Sequence, residues 1–235
     1  MLLVLSALYV VGCGFRSVFP MIDVPRTCLH DTWLSRIAAG RLVATVAELA
    51  FAAQWALLLR EAASALGSIP AQRAARSILP IIVAAELFSW TAVLTINNLL
   101  HAIENSLWTL AAALAIASAA SMLAGADART RRFLHAVIAT GAGYVAFMVS
   151  VDVPMYLARW QADLAAGRLH LSLAEGMRQL LARCVVVHDW AAWREDVPWL
   201  SLYFSVAVWI SIALPHALPF RRRAVRREGN LVKDL

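Results

Sequence analysis

Residues 78–100 read ILPIIVAAELFSWTAVLTINNLL. Apolar side chains fill nearly all of this stretch, and roughly 20 such residues in helical form cross the hydrocarbon core of a bilayer. A helix on the surface of a soluble domain would show a charged face at a period of 3.6. Here Glu86 is the lone ionisable group. The same pattern recurs at 38–59, 106–125, 133–151 and 198–217. Residues 1–19 follow it until Cys13, Gly14 and Arg16 interrupt the far end. That first run lacks the basic start and the small-x-small site of a signal peptide, so it is expected as a first helix. The spans predict an all-α polytopic membrane helical bundle of about six transmembrane helices, forming a single membrane domain over 1–235.

Composition agrees. The chain is 61% hydrophobic and 15% charged, against about 45–50% and about 25% for a soluble domain. One core cannot absorb that excess, so the lipid bilayer must solvate part of the surface. The formal charge is +6, and its placement speaks for orientation rather than nucleic-acid binding. Segments 60–76, 127–132 and 218–235 hold Arg60, Arg73, Arg76, Arg129, Arg131, Arg132 and the tail Arg221, Arg222, Arg223, Arg226, Arg227 and Lys233. On the opposite side basic and acidic residues balance. The positive-inside rule then predicts an inner (cell) membrane protein with both termini cytoplasmic. Loops 20–37, 101–105 and 152–197 face outward.

Asp-Val-Pro occurs at 23–25, 152–154 and 196–198. Asp before a first-turn Pro is a helix start, so three N-caps are expected. Segment 152–197 then reads as an amphipathic helical cap on the outer face, with helices near 154–166 and 173–185. Ser172 and Glu175 have capping-box spacing at the second of these. Trp160, Trp190, Trp193 and Trp199 suit the membrane interface.

An ionisable side chain at the bilayer centre costs at least ~2.5–3.5 kcal/mol, which makes each one a functional candidate. Glu48 and Glu86 fall mid-span. Arg41, Thr45 and Glu48 share one helical face, with Arg41 two turns from Glu48, beyond a direct bond but turned into the same crevice. Asn97, Asn98, His101, Glu104 and Asn105 form a polar stripe expected along the outer end of the third span. His101 and Glu104 at i, i+3 can meet, and a carboxylate beside an imidazole suits a general base or a metal's supporting shell.

His30-Asp31 and His188-Asp189 lie on the same predicted side. His30, His101 and His188 could converge on a divalent metal such as zinc, with Asp31, Asp189, Glu104 and Glu48 as acid–base groups. Arg41, Asn97 and Asn98 would then bind substrate. No HExxH, Cys-x-x-Cys, phosphate loop or nucleophile elbow occurs. Cys28 and Cys184 are the cysteines best placed to pair, with unpaired packed thiols the alternative. Three functions fit: a metal-assisted hydrolase or transferase for a lipid or lipid-linked substrate, an accessory subunit bound to a partner membrane subunit or another copy, or a small proton-coupled transporter.

Overall fold

The computed structural model describes residues 1–24, 26–181 and 184–217, so the basic tail at 218–235 and Pro25 of the first Asp-Val-Pro lie outside the described residues. The chain is a helical bundle. Helix α1 spans Leu2–Val18, α2 Ile37–Ala65, α3 Ile69–Thr95, α4 Asn98–Met122, α5 Ala128–Ala165, and a last membrane-length helix runs Val197–His216. All but α1 are long and apolar enough to cross a membrane. Between α5 and the last helix lie short helices α6 (Leu173–Gln179) and α7 (Trp190–Trp193), so the last one is α8.

The helices pack in the order α5, α4, α3, α2, α1, α8. Toward the α2–α3 connection the bundle is filled by small and branched residues of α2 to α5, including Leu59, Ala62, Ala71, Ile82, Ala119 and Leu134. Alanine lets helix backbones approach closely where lipid supplies no hydrophobic drive for association.

Three boundaries differ from the sequence expectation. Helix α3 starts at Ile69, with the Ser68 hydroxyl accepting from Ala71 N at 3.4 Å and a proline in the first turn. It stops at Thr95 because Ile96 adopts a left-handed conformation, φ 55°. Asn97 then caps α4, its Oδ1 accepting from Leu99 N at 3.0 Å. The polar stripe therefore belongs to the first turns of α4 rather than to the end of the third span, and 101–105 is helix rather than loop.

The second difference concerns Asp152-Val153-Pro154. Asp152 is helical (φ −75°, ψ −52°) with no capping bond, and α5 runs straight through the motif. Pro154 has no N–H to give the preceding turn, and the backbone there takes a π-helical turn over Met148–Asp152. The cap consequently starts after Ala165. Thirdly, Asp196 precedes α8 without capping it.

The cap is held to the bundle by backbone. Leu171 N donates to Thr95 O at 3.0 Å. Strand β1 (Met21–Ile22) pairs antiparallel with β2 (Thr27–Cys28), and β2 pairs parallel with β3 (Val185–Val186). Ser172 caps α6 through Glu175 N, as its spacing predicts. Cys28 and Cys184 are unpaired buried thiols, and Cys28 Sγ donates to His30 O at 3.4 Å. Burial raises both, Cys184 up to about 12, and a thiol that keeps its proton is a poor nucleophile. Both should resist iodoacetamide at pH 8 in the native protein and react once it is unfolded, as peptide mass mapping would record. The unfolded thiol ionises at lower pH than the folded one. Their contribution is therefore intact below the ordinary thiol range and declines as pH rises through and above it.

Candidate functional site

A chamber of about 450 Å³ lies inside the bundle. Its walls toward one end are apolar, from Phe51, Trp55, Ile82, Trp108, Val137 and Ile210. Its other end, near the start of α2 and α4, carries Asp23, Arg41, Glu48, His101, Glu104 and Asp152. The division follows from the chain. Polar residues sit within the first half of α2 and the first two turns of α4, and antiparallel neighbours bring the corresponding parts of α3 and α5 to the same level.

Arg41 organises the polar end. Its Nη2 donates to Glu48 Oε2 and Glu86 Oε2, each at 3.0 Å, and its Nη1 lies 3.6 Å from Asp23 Oδ2. The expectation that Arg41 lies too far from Glu48 is thus corrected. Helical side chains lean toward the helix N-terminus, so Glu48 reaches back toward the long Arg41 side chain. The remaining oxygens are also occupied in part. Thr45 donates to Glu86 Oε2 at 2.6 Å while receiving from Trp90 Nε1 at 3.0 Å. Tyr203 of α8 donates to Glu48 Oε1 at 3.3 Å. Glu86 Oε1 is buried with no hydrogen-bond partner. Behind Arg41, Arg16 donates to the carbonyls of Gly40 and Met21 and lies 3.8 Å from Asp23 Oδ1.

On α4, His101 Nδ1 and Glu104 Oε2 share a 2.7 Å hydrogen bond, both side chains buried, as their spacing predicts. The His101 ring packs on Tyr156 at 5.0 Å between centroids. Asn105 donates to Asp152 Oδ2 at 2.6 Å. One carboxylate oxygen from each of Glu48, Glu86 and Glu104 lies within 4.8 Å of the other two, the group of three metal-capable side chains found among the described residues.

The other sequence candidates lie elsewhere. His30, Asp31, His188 and Asp189 are exposed and none lines the chamber. His188 Nε2 bonds Leu29 O at 3.0 Å beside the β strip, and Asp189 caps α7 through Ala191 N. The three histidines therefore do not gather around one point, because the strip holds His30 and His188 on the outside while α4 draws His101 inward. Asn97 is spent on its cap, and Asn98 Nδ2 donates to Asp163 Oδ2 at 2.7 Å, so neither lines the chamber.

The residues missed from the sequence are the Asp-Val-Pro aspartates, together with Glu86 as a partner of Arg41. Asp23, Asp152 and Asp196 are 9%, 5% and 1% exposed. That burial is incompatible with solvated caps, and each instead meets an Arg or Asn. The thrice-repeated motif was the available signal. No family model, curated protein or solved structure matches the chain.

Proposed function

We propose that the chain is a membrane-embedded hydrolase or transferase for a lipid or lipid-linked substrate, working with a divalent metal held by Glu48, Glu86 and Glu104. The observation that carries this reading is the trio of buried carboxylates, two of which, Glu48 and Glu104, line the head of an apolar chamber. Fully ionised, the three carboxylates would exceed the single positive charge of Arg41 by two. A divalent cation would balance that excess, and the unpartnered Glu86 Oε1 supplies a ready ligand atom. An all-oxygen set suits Mg²⁺ or Mn²⁺ better than zinc.

The metal would polarise the scissile acyl or phosphoryl group and its water. Glu104 fixes the His101 ring through Nδ1, which leaves Nε2 to accept the water's proton and pass it to the leaving oxygen as its bond breaks. The apolar walls would take the substrate's chain. Cytoplasmic termini, as the arginines suggest, place the polar end toward the outer leaflet.

Purified protein titrated with Mn²⁺ and followed by electron paramagnetic resonance should bind about one equivalent, with Glu86→Gln losing at least ~10-fold in affinity, the low end for a perturbed metal site. Absence of saturable binding, or equal binding by Glu86→Gln, would sink the assignment.

A further inference from the structure

Among the described residues, the ring of helices is not closed. Helices α5 and α8 both line the chamber, yet neither packs along the other. They converge at the inner end, where Phe133 and Ile210 pack on the Leu2, Leu58 and Leu214 cluster. They are tied at the outer end, where Arg159 Nη2 meets Asp196 Oδ2 at 2.7 Å. Between these closures a slot remains.

Burial points to the same place independently. The described chamber-lining residues are buried or half-buried with three exceptions, Thr140 and Gly143 of α5 and Val206 of α8. A residue that both lines the chamber and faces outward marks its opening, and all three belong to the two unpacked helices. Gly143 lies fifteen residues from the inner start of α5, about 22 Å along the axis at 1.5 Å per residue. That depth falls within a hydrocarbon layer about 30 Å thick. Exposed apolar side chains elsewhere on the two helices, such as Val149 and Trp209, suit acyl chains rather than water. Both helices carry a π-helical turn where they border the slot, Met148–Asp152 and Leu202–Val206, a feature that recurs at functional sites.

We propose that the slot between α5 and α8 is a lateral portal admitting a membrane-dissolved amphiphile from the bilayer. Its headgroup passes to the carboxylate end and its chain lies along the apolar walls. The proposal rests on the chamber's being a lipid-substrate site, and it names the route and the ligand's source.

A thiol placed in the chamber by Ala112→Cys tests it, with the parent chain and its three buried cysteines as the blank. In liposomes an N-dodecyl maleimide should modify this position at least about tenfold faster than a charged methanethiosulfonate, because the alkyl chain concentrates the reagent in the membrane. Adding Gly143→Trp should remove that advantage. A side chain there fits, since a Cβ at Gly143 would meet nothing within 4 Å. Val206→Trp narrows the slot from the other wall and serves if the first variant fails to fold. Faster labelling by the charged reagent, no labelling by either, or indifference of the maleimide to both tryptophans would overturn the portal. Mn²⁺ binding reports separately. Its loss with the labelling pattern intact condemns the metal site alone, and the converse condemns only the portal.

Discussion

Arg41→Met is expected to be the most destabilising single substitution in the bundle. The Arg41 side chain is 5% exposed and meets Glu48, Glu86 and Asp23. Methionine fills similar volume, so packing is nearly conserved and the electrostatic loss is isolated. Removing one partner of a buried ion pair costs about 3–5 kcal/mol because the stranded charge stays desolvated. Here more than one carboxylate is stranded together. Against a total stability of about 5–15 kcal/mol, such a loss threatens assembly outright. Thermal unfolding in mild detergent should therefore show a large fall, with Arg41→Lys intermediate, since lysine keeps the charge but not the second nitrogen that lies beside Asp23. Glu86→Gln added to Arg41→Met should recover part of the loss, a coupling that a double-mutant cycle measures. An Arg41→Met protein as stable as the parent would refute the account of this cluster.

The second large effect is an asymmetry. Arg159 grips Asp196 with both Nη atoms, at 3.1 and 2.7 Å, and Trp199 Nε1 donates to Asp196 Oδ1 at 2.8 Å. The Asp196 side chain is 1% exposed and that of Arg159 is 20%. Arg159→Met strands a carboxylate that cannot reach water, at a cost on the order of 3 kcal/mol. Asp196→Asn leaves an arginine that can swing its head outward, so the loss should be distinctly smaller. Glu195 is 60% exposed and its removal should cost little. Unfolding midpoints for the three variants should fall in that order, and equal values for Arg159→Met and Asp196→Asn would contradict it. The pair also ties the outer end of the α5–α8 slot. Arg159→Met should therefore let the charged thiol reagent reach a cysteine placed at Ala112 faster than it does in the parent.

Legibility divides along the distance over which a signal acts. Hydropathy accumulates residue by residue, so the apolar runs were plain, and His101 with Glu104 was readable because i, i+3 neighbours on one helix meet whatever surrounds them. The Ile96–Asn97 break was hidden because an apolar β-branched residue in a left-handed turn carries no local signature. The Asp-Val-Pro motif misled for a related reason. Its local meaning is a helix cap, and only burial against Arg16 and Arg41, Asn105, or Arg159 turns each aspartate into a buried acceptor, ion-paired at Asp23 and Asp196 and hydrogen-bonded at Asp152. His30 and His188 share a predicted side with His101 but not a depth, and one-dimensional topology cannot separate the two.

By itself, then, the sequence determined that the chain is a membrane-compatible helical bundle whose ionisable groups concentrate toward one end. The tertiary structure alone decided that Arg41 bonds Glu48 and Glu86, that Glu104 lies beside those carboxylates, and that α5 and α8 line the chamber without packing along each other. Which side chains touch depends on how each helix is rotated and how far a side chain leans along it. Those quantities are set by packing between segments and are written in no single stretch of chain.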